Sequence, residues 1–390
     1  MNPPLRPPSV ELDADIRWIL FAAFADEFRL SAQPASPARA ARLVEEFSLT
    51  NRVVSRLNRA QLFEALTPAL AEVLCQNFRQ RVMRSLAVAQ VRQTVCFAAE
   101  GSGIEIALLK QAALEARGIV SPQQRYATDI DVLVRPDQQF LFCAALERQG
   151  LSRETRKHHA HGVPVLRSES GVGVELHTEL FDLRLEQHTE PLTLDSLHER
   201  NLLKAVDPKA PHVTTPTLAV IAAHIVAQGW YLFHFVPNAP KHKSPFRVIA
   251  DIATLGLHEN EDLAKATFSH IQHEGREDEF FGLVTLVQHL ALGDFEKLTG
   301  LPRRLLDHAI TSRLDENYRR RLVITHQMAM LRTEGIPAYF ARQGSRIWQT
   351  PADGNASARQ RWSVFAELAR KAVLGLTARL TPNHRNRNAR

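Results

Sequence analysis

The 390-residue chain has only three cysteines, Cys75, Cys96 and Cys143, far apart and with no Cys-x-x-Cys pair. That excludes a disulfide framework and a thiolate zinc site, and points to a reducing compartment. Glycine is sparse too, at 17 residues, and neither Gly-x-Gly-x-x-Gly nor Gly-x-x-x-x-Gly-Lys-Ser/Thr occurs; Gly101-Ser102-Gly103 is too short for either. A dinucleotide dehydrogenase and a P-loop ATPase are thereby set aside. There is no long uninterrupted apolar run. The most apolar stretch, Thr217 to Val236, contains His224, Gln228 and His234 and predicts a buried helix rather than a membrane span. The opening MNPPLRPPSVELDAD carries four prolines and three acids where an export signal needs an apolar segment, so a soluble cytoplasmic protein without a membrane partner is expected.

What is present suits a folded core: 45% of residues are hydrophobic and 23% charged, in a chain long enough for two or three packed units. The net charge is +6, but the last fourteen residues hold four arginines and no acid, which leaves +2 elsewhere. A Pro/Asn/Arg-rich end reads as a solvated tail and gives a nucleic-acid partner little support.

Apolar spacing predicts helices from residue 12 to about 99, with hydroxyl-then-proline starts at Ser36-Pro37 and Thr67-Pro68. Short β-branched runs follow: IEIALL, DIDVLV, VPVLRS and VGVELH, all between about 103 and 180. Strands are expected almost nowhere else. Helical spacing returns near 216–230, 245–256, 260–273, 276–292, 312–333 and 358–376, with breaks at Pro216, Pro245, Pro302 and Pro337. The pattern predicts an α+β fold in which a small mixed sheet is flanked by helical regions. The expected division is 1–99 helical, 100–185 an α/β core, 186–376 helical and 377–390 a disordered basic tail.

The chemistry concentrates in Asp129-Ile130-Asp131-Val132-Leu133-Val134. Strand period sends Asp129 and Asp131 to one face and Ile130, Val132 and Val134 to the other, toward the core. Two carboxylates on a buried strand repel each other, so a positive group is expected between them, most economically a divalent ion. In Val172-Gly173-Val174-Glu175-Leu176-His177 the even residues face the core and Glu175 shares the other face with His177. If the two strands are neighbours, Asp129, Asp131 and Glu175 form a hard-oxygen set suited to Mg²⁺ or Mn²⁺. A glutamate turned away from the aspartate pair, or a lysine or arginine head filling the gap, would leave an enzymatic reading without support, and only a helical protein with a small sheet would remain.

These motifs resemble the uncharacterised nucleotidyltransferases of the polymerase-β-like superfamily. The likeness lies in Leu109-Lys110 opening a helix, Arg125 four residues before Asp129, the DIDVLV strand and Glu175-Leu176-His177. More loosely, Leu49 to Val53, His224, Arg247 and Asp251 fit the flanking helical parts. The resemblance implies transfer of a nucleoside monophosphate from an NTP to an acceptor, which is a small molecule, a protein or an RNA. Asp129, Asp131 and Glu175 would be the catalytic and metal-binding residues. Lys110 and Arg125 would meet the phosphates, and His177 would orient a carboxylate or touch substrate. One departure stands out: the family's glycine after the lysine is Gln111 here, which leaves open a changed pocket or an inactive, scaffold-like protein.

Other candidates carry less. His158, His159 and His161 lack the partners of a zinc site and read as a hairpin surface. Arg247 and Asp251, spaced i, i+4, read as a helix-surface pair or as cleft residues. A glycosyltransferase also uses a strand-end DxD, but it needs an α/β domain ahead of the motif, where this chain predicts helices. The sequon Asn355-Ala356-Ser357 has no export signal to give it meaning.

Overall fold

The structure, a computed structural model, describes residues 9–26, 33–158, 164–180, 192–235, 244–271, 277–315 and 318. The side chains of His158, His159 and His161 lie outside the described set, as do those of Gln228 and His234. So do the sequon, the predicted helix 358–376, most of 312–333 and the basic tail.

Four helices come first, as the spacing predicts: α1 (Ala14–Phe24), α2 (Pro37–Glu46), α3 (Thr50–Arg59) and the 35-residue α4 (Pro68–Ser102). Ser36 and Thr67 do occupy the N-cap positions before the prolines that open α2 and α4, but neither hydroxyl makes a capping hydrogen bond. Gly103, with φ +65°, closes α4 in the left-handed conformation that glycine adopts without steric cost. That is the structural use of the Gly101–Gly103 segment.

The α/β part follows as β1 (Ile106–Leu108), α5 (Lys110–Ala116), β2 (Asp129–Val134), α6 (Gln139–Arg148), β3 (Ser152–His158), β4 (Pro164–Arg167) and β5 (Gly173–His177). Next come α7 (Leu194–Glu199), β6 (Leu203–Asp207) and β7 (Ala210–Pro216). The last described elements are α8 (Leu218–Phe235), α9 (Pro245–Thr254), α10 (Glu261–Ile271), α11 (Glu277–Ala291) and α12 (Gly300–Leu314). No helix among the described residues is long and apolar enough to cross a membrane.

All seven strands form one mixed sheet in the order β3-β4-β5-β2-β1-β7-β6. Three of them fall where apolar runs do not predict strands. β3 and β6 are the edges, and edge strands need no apolar face: β6 exposes Lys204, Ala205 and Asp207. β7 lies beside β1 in parallel, pairing Val213 with Ile106, so residues 203–216 return to the sheet from territory that reads as helical. Pro302, expected as a break, sits in the first turn of α12, where a missing N–H costs nothing.

Both faces of the central strands are covered. Ile130, Val132 and Val134 of β2, and Val174 and Leu176 of β5, pack into the main core with the helices. On the opposite face Leu133 joins Ala107, Leu109, Leu194, Leu197 and Val220 in a second small cluster. Asp131 stands on that second face, two residues before Leu133, at the border between apolar packing and a polar centre. α6 buries Phe142, Cys143, Ala145 and Leu146 and leaves Phe140 and Leu141 exposed.

Candidate active site

The two acid-bearing strands are neighbours. β2 and β5 run parallel in a register that pairs Asp129 with Gly173, Asp131 with Glu175 and Leu133 with His177. Period 2 therefore places Asp129, Asp131, Glu175 and His177 on one face, as the alternation predicts. Register also separates the two aspartates. Asp131 faces a glutamate, whereas Asp129 faces a glycine and receives no side chain from β5.

The side chains assemble accordingly. Ligating atoms of Asp131, Glu175 and His177 all lie within 4.8 Å of one another. His177 Nε2–H donates to Asp131 Oδ1 at 3.0 Å and stands 3.9 Å from Glu175 Oε2. Asp131 and His177 are buried and Glu175 is half-buried. The compact donor set is thus Asp131, Glu175 and His177, with His177 in the place expected for Asp129.

A lysine head is also present. Lys110 Nζ donates to the same Asp131 Oδ1. It gets there through the β1–α5 turn: the Leu109 N–H donates to the Asp131 carbonyl at 3.0 Å, and Lys110 then takes φ +47°. A left-handed conformation costs a non-glycine residue on the order of 1 kcal/mol and persists only where its surroundings impose it. Here it turns the ammonium from the end of one strand onto the carboxylate of the next. Burial alone would raise the Asp131 carboxyl; the ammonium and the His177 hydrogen bond outweigh it and hold the group well below the usual carboxylate range. His224 of α8 lies in the same field. Burial, then the charges of Lys110 and His177, hold its imidazole well below the usual histidine range.

Arg125 is placed differently from the expectation of a phosphate ligand. Its fork grips Asp251 of α9, Nε to Oδ1 at 2.7 Å and Nη2 to Oδ2 at 2.9 Å, and its Nη1 donates to Gln111 Oε1 at 3.2 Å. Gln111 in turn donates to Glu115 at 2.6 Å, and Glu115 accepts from Arg92 of α4 at 2.8 Å. The residue that replaces the family glycine is therefore a buried link in a polar chain running from α4 through α5 to α9. Asp251 pairs with Arg125 and not with Arg247. Arg247 is half-buried and forms no hydrogen bond or ion pair with any described residue. Burial and the neighbouring Arg125 guanidinium pull its pKa down to about 10, against the opposing pull of Asp251, Asp129 and Asp131.

Sequence reasoning missed Arg84. From α4 it donates to the carbonyls of Ser170 at 2.8 Å, Gly171 at 2.9 Å and Thr128 at 3.1 Å, clamping the starts of the two acid-bearing strands together. Nothing local announces it, because its partners are backbone atoms 44 to 87 residues away.

The two carboxylates of Asp131 and Glu175 fit a hard divalent ion by chemistry, with Asp131 already ionised and held in place by the His177 N–H. Lys110 occupies one oxygen of that set, so an ion and the ammonium compete for Asp131. No curated protein and no solved structure matches the chain. A family model described as uncharacterised nucleotidyltransferase matches residues 33–293, a span that contains α2 through α11 and every residue of this site, and the chain belongs to that family.

Proposed function

We propose that this chain transfers a nucleoside monophosphate from an NTP to an acceptor, using Mg²⁺ or Mn²⁺ held by Asp131 and Glu175, with Asp129 beside them. The observation that carries the reading is the register of β2 on β5, which sets Asp131 against Glu175 within metal-ligand reach. A bound ion would neutralise charge on the triphosphate and on the departing pyrophosphate. The new bond forms between the acceptor oxygen and the α-phosphorus as the bond to the β-phosphate bridge breaks, and pyrophosphate leaves.

The protein's own groups have separable roles in this scheme. Lys110 keeps Asp131 ionised, and with an ion held by Asp131 and Glu175 its ammonium would be the charge available to the triphosphate. His177 holds the Asp131 carboxylate in orientation through Oδ1. Arg125 positions rather than binds, because both ends of its fork are taken by Asp251. Arg247, the cation beside it without a partner among the described residues, is the group available to the phosphates.

The test is incubation with each α-labelled NTP, Mn²⁺ or Mg²⁺, and pooled small-molecule, protein and RNA acceptors. Metal-dependent pyrophosphate release with label on one pool, lost in Asp131→Asn, is expected. No release with any NTP overturns the reading. A second reading, a catalytically inactive nucleotidyltransferase-fold binding or scaffold protein, is favoured by the Lys110–Asp131 contact and by the engaged Arg125. It predicts neither metal-dependent NTP binding nor pyrophosphate release.

A further inference from the structure

A second concavity lies away from Asp131 and shares no residue with that centre. It measures about 320 Å³, and its floor is one face of α3. Arg52, Arg56 and Arg59, spaced i, i+4 and i+7, all line it. Three like charges on one helix face repel one another, and among the described residues none of the three forms an ion pair. Among the described residues Arg52 bonds only to neutral acceptors: its Nε donates to the Ala23 carbonyl at 2.6 Å and its Nη1 to the Thr254 hydroxyl at 2.8 Å. It also lies 5.1 Å from the centroid of the Phe24 ring. Burial, then the charge of Arg56, pulls its pKa down to about 9.

One donor in the wall is unmet among the described residues: Arg56 uses Nη2 on the Ala25 carbonyl, but its Nε is buried without a hydrogen-bond partner. A buried N–H without an acceptor is costly, so a cavity that holds the Arg56 Nε–H beside three guanidinium groups is short of an acceptor-rich anion. Asp26 and Glu259 supply two carboxylates, but both are exposed at the rim, and Glu259 contacts His258 Nε2 at 3.4 Å rather than an arginine.

We propose that this cavity binds a small phosphorylated molecule, its phosphate against Arg56 and Arg59 and its organic part along Phe24 and Ile119. Forked, charge-assisted hydrogen bonds from guanidinium suit a phosphate dianion, and a half-enclosed wall strengthens them relative to open solvent. The volume is at the lower end of ordinary small-molecule pockets. The competing occupant is a divalent cation on Asp26, His258 and Glu259, whose ligating atoms also lie within 4.8 Å of one another. Three arginine charges in the same wall oppose it. The site is tied to the first one mechanically: α9 carries Thr254 into this wall and Asp251 into the Arg125 chain, and Gln124 lines the cavity next to Arg125.

The test uses the full chain and inorganic phosphate as probe, titrated at constant ionic strength against chloride while thermal unfolding is followed. A saturable rise in Tm is expected in the unaltered protein and in Asp131→Asn. In Arg59→Ala, an exposed and structurally mild change, and in Arg56→Ala, the apparent affinity should fall by about tenfold or more, the equivalent of one lost charged hydrogen bond. The proposal fails if phosphate gives no saturable rise, if the rise persists in both arginine variants, or if Asp131→Asn abolishes it. It also fails if Mn²⁺ alone, and not phosphate, raises Tm in a way that His258→Ala removes.

Discussion

The ammonium of Lys110 rests on the same oxygen of Asp131 that accepts from His177, so two cation-capable groups converge on one carboxylate oxygen while Glu175 waits across the strand pair. In a metal-dependent enzyme this contact is a resting state that the ion displaces. Lys110→Ala should therefore tighten Mn²⁺ binding in the absence of NTP by about tenfold or more, because it removes a like charge a few ångströms from the ion. The same change should lower NTP transfer, since the triphosphate loses a cation. Calorimetry with Mn²⁺ alone checks the first outcome; unchanged or weaker Mn²⁺ binding would show that the lysine is not competing with a metal.

Register separates the two aspartates of the DIDVLV strand. Asp131→Asn and Glu175→Gln should each lower transfer on the order of 10³-fold, the scale of losing a group that stabilises charge in the transition state. Asp129→Asn should cost clearly less, because Asp129 faces Gly173 across the strand pair. Equal losses at Asp129 and Asp131 would favour the three-carboxylate set instead.

Arg247 should matter for nucleotide affinity and little for folding. Arg247→Ala is expected to raise the NTP dissociation constant by about tenfold with Tm nearly unchanged. Asp251→Ala is expected to do the reverse, destabilising the protein by about 3–5 kcal/mol by leaving the Arg125 guanidinium buried and unpaired. Chemical denaturation and NTP titration on the two variants tell these roles apart.

His224 gives a pH signature. Its folded-state pKa lies below the ordinary value of 6.5, so the unfolded chain binds a proton that the folded one refuses. Stability tied to His224 is thus present at and above about pH 7 and is lost as pH falls below 6.5, with a slope of at most about 1.4 kcal/mol per pH unit for one proton. His224→Gln should flatten the dependence of unfolding free energy between pH 7 and pH 5. A slope identical to that of the unaltered protein would show that the proton is taken up elsewhere.

Much of this was legible in the chain because it follows from period and punctuation. The alternation in DIDVLV and VGVELH places Asp131, Glu175 and His177 on one face, and that face is where the polar centre lies. The helix starts at Pro37 and Pro68 follow from proline's fixed φ. What stayed hidden depends on pairing across long sequence separation. Asp251 has Arg247 one turn away, yet bonds to Arg125, 126 residues distant. Gln111 reads as an obstruction and is instead a link between Arg125 and Glu115. β3 and β6 are polar because they are edges, so apolar patterning passes over them. Lys110 carries no sign of its left-handed backbone, which the β1–β2 pairing imposes.

The central claim, that Asp131 and Glu175 hold a divalent ion that in turn holds a nucleotide, is tested most directly by titrating a non-hydrolysable NTP into the protein with Mn²⁺, with a metal chelator, and with Mn²⁺ on Asp131→Asn. Binding in the first case and none in the other two is the predicted result. Equal binding in all three, or none in any, would contradict it.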